Sequence, residues 1–355
     1  MNSFRKSSLL MIGSFGFGKS TYGGEDVKNR LLFKHLNKLG YKVNAFDTSG
    51  WRRNAITIIF KILFRTTKDR ENIFLCSHAI GAIRVLPYLV LYKILFRRKV
   101  IYMVVGFAIN YYLDKYPILV RLLRNIDGII VETEMHKNFL YSKGLSNVVH
   151  INNFRDIENK KKKAINHSRM EQLEVIYFTR IDFRKPIDGA IKIFDLIKEY
   201  NLQKRYKLNI YGKLHKDYEE TFYSKISDYS NMKYHGTIDA DQILNTLMEH
   251  DVMIYPLSAK EDVFPGVLLD AFGAKLPVIA KDSNYISEII RDNINGFLIN
   301  SDDNEAWLER LEKIRNMSDA EYHTLSDSTY NNSLQFDRKV VLDNFASFLV
   351  KQEVL

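Results

Sequence analysis

The sequence predicts an α/β chain of two doubly wound domains facing a cleft, each a parallel sheet with helices on both faces. Three observations lead there. Short apolar runs of strand length alternate with longer runs of helical period along most of the chain. The alternation breaks once, in 157–169, and then restarts. A length of 355 residues also suits two separate cores, at about 150 residues per domain.

Taken in order, 8–13 reads as a buried strand. A glycine-rich turn follows it, then an amphipathic run over 26–39 that stops at Gly40. Further strands are expected at 41–46, 73–77, 100–105, 128–132 and 148–151, with helical pieces between them. The break contains Lys160, Lys161, Lys162 and Lys163 without apolar period, so it is the expected linker. It separates a first domain, 1–165, from a second, 166–334, and a helix at about 335–355 is expected to pack back on the first. Beyond the break, strands at 175–178, 207–211, 232–235, 252–255 and 277–280 alternate with helices at 189–199, 219–229, 241–249, 267–274 and 285–291. Ligands of such sheets sit outside the carboxyl ends of the strands.

Composition narrows the class. With 46% apolar and 26% charged residues, and only 17 Gly and 6 Pro, the chain is neither disordered nor collagen-like. The single cysteine, Cys76, permits no intramolecular disulfide and fits a reducing, cytoplasmic setting. The opening MNSFRKSSLLMIG has no small-residue cleavage pattern after it, so no leader is expected. The longest greasy stretch, 85–96, is broken by Lys93 and is shorter than the roughly 20 residues a spanning helix needs.

Charge is divided unevenly. Residues 1–165 carry 29 Lys+Arg against 11 Asp+Glu, and the remainder 23 against 31, for a chain total of +10. The basic half should be drawn to something anionic: a headgroup layer, a phosphorylated acceptor or nucleic acid. No nucleic-acid motif accompanies the charge, so no nucleic-acid partner is expected. Two segments mix aliphatic, aromatic and cationic residues without acids: Trp51-Arg52-Arg53 running into 55–65, and VLPYLVLYKILFRRK at 85–99. Such segments can lie at an anionic membrane surface with their cations snorkelling outward. They also fit core-facing helices with basic outer sides.

Three motifs carry chemistry. Gly13-Ser14-Phe15-Gly16-Phe17-Gly18-Lys19-Ser20 matches the phosphate-loop pattern after a strand. Gly23 and Gly24 follow closely, however, and adjacent glycines cost a helix about 1 kcal/mol each. A helix opening at Gly24, with Glu25 and Asp26 at its positive end, suits the sequence better. The segment is then a glycine loop whose backbone can approach a phosphate. The second motif, Phe178 to Pro186, leaves a strand and enters a helix, with Arg180 and Lys185 able to converge on one anion. A solvated basic loop is the plain alternative. The third has Asp262 and Asp270 eight apart, around Phe264-Pro265-Gly266-Val267-Leu268, where amides at a helix start can bind phosphate or sugar oxygens. Asp239-Ala240-Asp241 reads as a helix cap rather than a metal site, and no other metal-ligand spacing occurs.

On these residues the chain resembles a retaining glycosyltransferase of family 4, of the GT-B architecture with two Rossmann-like domains. The likeness rests on Gly23-Gly24, on Arg180 and Lys185, and on Asp262-x7-Asp270 followed by Pro277-Val278-Ile279-Ala280. Gly212, Gly236, the run Tyr255 to Ser258, Glu288, Asn295-Gly296-Phe297 and Asn152-Asn153-Phe154 extend it. It is strong from Val175 to Leu298 and weaker before. The family's acid pair is usually Glu and Glu; here both are Asp, and Glu261 could replace Asp262 by a one-residue shift. The family's first-domain histidine has no counterpart in Val104-Val105-Gly106-Phe107-Ala108, and His78 is the nearest candidate.

The resemblance implies metal-independent transfer of a sugar, with retention, from a nucleotide-diphosphate donor to a glycan or lipid-linked acceptor, as in bacterial surface polysaccharide assembly. No cofactor is implied beyond the donor. Asp270 would hold ribose hydroxyls, Asp262 the donor sugar, and Arg180 and Lys185 the departing diphosphate. Gly23, Gly24, Gly212 and the 264–268 segment would line the donor, and Gly106 and His78 the acceptor side. The expected setting is the cytoplasm, at the inner face of the cell membrane. A P-loop kinase or ATPase using Gly13 to Ser20, and a catalytically weak membrane-binding relative, are the alternatives.

Overall fold

The computed structural model describes residues 8–17, 24–50, 54–157, 170–257, 265–283, 285–300 and 304–355. The chain divides into two units, Met1–Asn152 with Lys339–Leu355, and Asn153–Arg338. The division falls ahead of the expected 165/166 boundary because Arg155 is already tied to the second unit. Its N–H donates to the Phe336 carbonyl (3.0 Å), and its carbonyl accepts from Arg338 (2.7 Å). The lysine run lies outside the described residues.

The first unit holds six parallel strands: β1 (Leu9–Gly13), β2 (Val43–Asp47), β3 (Asn72–His78), β4 (Val100–Val105), β5 (Gly128–Val131) and β6 (Val148–His150). Their order is β2-β1-β3-β4-β5-β6, so the winding reverses between β1 and β3. Parallel neighbours need crossover helices, which bury both faces of the sheet and select continuous apolar strands; all five residues of β1 are buried. The first crossover helix is Gly24–Lys38, with Glu25 and Asp26 in its first turn. Residues 339–355 return to this unit. Asn72 Nδ2 donates to the Val354 carbonyl (2.9 Å), and Phe348 packs where a side chain on Gly128 would stand.

The second unit holds β7 (Leu173–Phe178), β8 (Tyr206–Tyr211), β9 (Met232–Tyr234), β10 (Val252–Tyr255), β11 (Val278–Lys281) and β12 (Phe297–Ile299). The order is β12-β11-β10-β7-β8-β9, again parallel. The chain winds outward from β7 to β9, then restarts beside β7 at β10 and winds the other way. The reversal between β7 and β10 is where such a sheet opens a ligand crevice at its carboxyl edge.

Several elements differ from expectation. β12 has three residues, too few to show a period, and the helices Asn304–Arg315 and Asp319–Ser333 were unforeseen. The latter buries Ser326, Thr329 and Ser333 beside Tyr322 and Leu325, which blurs its apolar stripe. Its start was legible as a capping box of Ser318 and Glu321. The helix Ile243–Met248 has no aspartate cap; Asp239 gives only its carbonyl, to the Gln242 N–H (2.9 Å). The expected 285–291 helix shrinks to Ile286–Ile289, and Asn295 takes the Arg291 N–H (2.6 Å).

The loop after β1 closes on Asp47. Its Oδ1 accepts from the amides of Phe15 (3.0 Å) and Ser49 (2.8 Å), and its Oδ2 from Phe17 (2.9 Å). Burial alone would raise this carboxyl, but the three amides outweigh it and hold it below its ordinary value. Asp47→Ala should therefore lower the urea-unfolding free energy by about 1–3 kcal/mol at neutral pH. The lowered folded value means that this contribution is complete above the unfolded value, 3.8, and is lost as the pH falls through the folded one. A gap between wild type and variant that failed to narrow at pH 3 would contradict it.

Candidate active site

The second unit's carboxyl edge collects the charged motif residues. β7 ends at Phe178, and the chain continues as a short extension of the β7–β8 ladder. Thr179 N–H donates to Tyr211 O (3.2 Å), Ile181 N–H to Lys213 O (3.0 Å), and His215 N–H to Ile181 O (2.9 Å). The loop then folds back on itself around Asp182. This buried carboxylate accepts through Oδ1 from the amides of Arg184 (2.8 Å) and Lys185 (3.0 Å), and the Lys185 N–H also reaches the Asp182 carbonyl (3.0 Å). Oδ2 pairs with Arg180 Nε at 2.8 Å. Burial would raise Asp182, but these amides and the Arg180 guanidinium together hold it below the usual carboxylate range. Asp182 thus holds the Arg180 guanidinium and the Lys185 backbone in one turn, and the Arg180 side chain is half exposed (49%). Tyr177 Oη secures the far end by donating to the Pro186 carbonyl (3.1 Å).

Gly212 supports this loop from beneath. It sits at φ +134°, and a Cβ there would lie 1.7 Å from the Thr179 carbonyl oxygen. Its N–H donates to Gly236 O (2.7 Å). Gly189, in the first turn of the helix Asp188–Glu199, lets that turn close on Pro256 just past β10, with 2.8 Å between the Pro256 Cβ and a hypothetical Gly189 Cβ. Sequence reasoning passed over Gly189, because one glycine at a helix start carries no distinctive pattern.

The third motif is described from Pro265 onward; Asp262, Phe264 and the alternative Glu261 lie outside the described residues. Pro265 precedes the helix Gly266–Gly273, and Gly266, Val267 and Leu268 form its first turn, with Leu268 buried. Asp270 stands one turn further on, its side chain 19% exposed, and Arg155 Nε donates to its Oδ1 at 3.0 Å. Burial pushes the Asp270 carboxyl up, opposed by the Arg155 charge and hydrogen bond. Arg155 was missed, since 115 residues separate it from its partner.

In the first unit, His78 ends β3 and Gly106, at φ +79°, follows β4. His78 Nδ1 lies 3.1 Å from Val105 O, and its Nε2 lies 3.2 Å from Glu25. Lys28, on the same helix as Glu25, contacts Glu132 just past β5. These polar groups therefore share the carboxyl edge of the first sheet. Gly24 begins the helix Gly24–Lys38, and Gly23 lies outside the described residues. The phosphate-loop segment is described only to Phe17, and there its amides already serve Asp47. A small recess, partly open to solvent, lies between the helices Ala55–Asp69 and Ala79–Phe96. Ile58, Ile59, Ile62 and Val85 wall it, and Ser77 and Arg84 supply polar groups. Among the described residues no three His, Cys, Asp or Glu side chains are grouped to hold a metal ion.

Two doubly wound units of this kind have the GT-B architecture. Residues 158–331 match the model of the family described as Glycosyl transferases group 1, so the second unit carries a glycosyltransferase domain and the chain is a glycosyltransferase. Anabaena HepE, solved in complex with UDP, is 14% identical with a TM-score of 0.71, over 97% of this chain and 100% of that one. A glycosyltransferase from Rickettsia africae is 13% identical, with a TM-score of 0.73 over 98% and 99%. Sucrose-phosphate synthase from Thermosynechococcus elongatus is 12% identical, with 0.74 over 97% and 98%. At these identities the likeness is one of fold. A Klebsiella pneumoniae relative, described as an uncharacterized 41.2 kDa protein in the cps region, is 22% identical over 75% of this chain and 76% of its own length.

Gly212→Ala tests the loop's support. Its Cβ would displace the Thr179 carbonyl, and strained backbone of this kind costs about 1–3 kcal/mol. A fall in thermal midpoint with a parallel loss of nucleotide binding is expected; wild-type nucleotide affinity would detach Gly212 from the site.

Proposed function

We propose that this glycosyltransferase moves a hexose-type sugar from a nucleotide-diphosphate donor to a glycan or lipid-linked acceptor, with retention and without a metal ion. The observation that carries the reading is the placement of Arg180, Lys185 and the first turn of Gly266–Gly273 at one switch point. Fixed cations and helix amides there oppose the charge that develops on a departing diphosphate. HepE was solved with UDP and with UDP-glucose, which supports a nucleotide-sugar donor.

In this reading the second unit holds the donor. Asp270 accepts hydrogen bonds from ribose hydroxyls, and Asp262 from the sugar. The acceptor hydroxyl attacks the anomeric carbon on the face the diphosphate is leaving. The carbon–oxygen bond to diphosphate breaks, a new one forms to the acceptor, and a diphosphate oxygen takes the hydroxyl proton. No separate protein base is then required. His78 and Gly106 belong to the acceptor side.

The first unit supports a lipid-linked acceptor at an anionic membrane surface. On the helix Ala55–Asp69, Ile56, Phe60 and Phe64 recur every fourth residue and are 67–74% exposed. On the helix Ala79–Phe96, Leu91, Ile94 and Leu95 are exposed as well. The helices thus bury one apolar face and present a second. Their cations are only partly available: Arg65 pairs with Asp69 and Glu71, and Lys93 with Asp127, while Lys61 and Lys68 are exposed. The helix Ala79–Phe96 has the length and apolarity to span a bilayer, with a mean hydropathy of 1.7. It is nevertheless the β3–β4 crossover, with Ala82, Val85, Leu86, Leu89 and Tyr92 buried, which favours docking on the surface. A cps-region relative supports a role in surface polysaccharide assembly, and a cytoplasmic, peripheral location follows from that role.

Incubation with a panel of nucleotide sugars and a membrane lipid extract should yield a glycosylated product with the donor's anomeric configuration by NMR, undiminished by chelator. Arg180→Ala or Lys185→Ala should each lower turnover by roughly a hundredfold, about 3 kcal/mol of barrier. Full turnover in both variants would remove the assignment. For the membrane, Phe60→Glu with Phe64→Glu should abolish flotation with anionic liposomes while donor hydrolysis persists. Flotation indifferent to anionic lipid would count against that part.

A further inference from the structure

Arg155 occupies an unusual place for a cation. The guanidinium lies directly on the first turn of Gly266–Gly273, so closely that a Cβ on Gly266 would be 1.6 Å from Nη2. A helix N-terminus presents unpaired amides and positive potential, which a cation alone opposes and an anion satisfies. One anion is present already: Asp270 Oδ1 takes Nε at 3.0 Å. A second edge is also used, with Nη1 donating to the Phe154 carbonyl at 3.0 Å. Nη2 has no acceptor among the described residues, and the side chain is 38% exposed. Backbone bonds on both sides of Arg155, to Phe336 and Arg338, fix where the side chain starts.

Gly266 is glycine, then, because Arg155 needs its surface. Such an arrangement leaves a guanidinium edge open beside the first turn of the helix. We infer that Arg155 is a third cation of the donor site, giving its Nη2 edge to a phosphate oxygen of the nucleoside diphosphate while its Nε edge holds Asp270. The inference rests on the donor reading above. It assigns two tasks to one side chain. Asp270, engaged through Oδ1, keeps Oδ2 for a hydroxyl, and the guanidinium adds a positive charge at the helix start.

Calorimetric titration of the full chain with inorganic pyrophosphate and, separately, with UDP tests this. Charge-assisted hydrogen bonds of this kind are worth about a factor of ten or more. Arg155→Ala should weaken pyrophosphate binding about tenfold or more, and Arg155→Lys should recover part of it. Gly266→Ala, which evicts the guanidinium without removing it, should copy Arg155→Ala. Asp270→Asn should bind pyrophosphate at wild-type strength or tighter and lose affinity for UDP alone. Thermal unfolding of each ligand-free variant separates these losses from misfolding. If Arg155→Ala and Arg155→Lys bind pyrophosphate like wild type while Arg180→Ala does not, Arg155 is no phosphate ligand and the inference is overturned with the donor reading intact. If the wild type takes up neither pyrophosphate nor UDP, the donor reading itself falls.

Discussion

The loop after β7 in the second unit depends on one buried carboxylate. Asp182 fixes the turn that carries Arg180 and Lys185. It accepts two backbone N–H groups through one oxygen and a guanidinium through the other. Without an internal anion, two cations on a six-residue loop would repel and spread into solvent. With it, the loop is set at folding, and in the proposed reaction a diphosphate would meet donors already oriented. That order of events matters energetically, because the cost of immobilising the loop falls on folding rather than on donor binding. Thr179, Ile181 and His215 carry the same economy further by extending the β7–β8 ladder into the loop.

What the sequence revealed follows from the range of each signal. Arg180 and Lys185 are five apart and leave a strand, so their sharing of one loop was readable. The parallel sheets were readable because alternation of element type survives errors of two or three residues at the ends. Arg155 was unreadable for the opposite reason: only the folded chain brings it to Asp270. β12 was too short to carry a period, and the helix Asp319–Ser333 buries hydroxyls that a hydropathy pattern counts as polar. Asp239 looked like a cap by residue type, but a cap is a matter of side-chain geometry, and Gln242 stands at the helix start instead.

The two units show how one topology serves different electrostatics. Both sheets reverse their winding beside their first strand, and both place a loop at the reversal. In the first unit Asp47 consumes the amides of Phe15 and Phe17, so the loop that reads as a phosphate cradle is internally satisfied where it is described. The neighbouring recess is walled mostly by apolar side chains, with Ile58, Ile59, Ile62 and Val85 among them. In the second unit a carboxylate also binds the loop's amides, but the same loop carries two cations, Arg180 and Lys185. A glycine-rich pattern reports backbone freedom. Which anion the freed amides serve is decided by side chains elsewhere in the sheet.

The shortened acids can be understood in the same terms. An aspartate at 270 reaches one methylene less far than a glutamate, so its carboxylate sits nearer the helix and deeper in the protein, where burial favours the neutral acid. A neutral acid would donate one proton and lose much of its capacity to accept from hydroxyls. Arg155 answers both difficulties by supplying the opposing charge, and its guanidinium fills the space above Gly266. Asp270 and an arginine from 115 residues upstream are in this sense one unit. The glycine at 266 is the space that makes it possible.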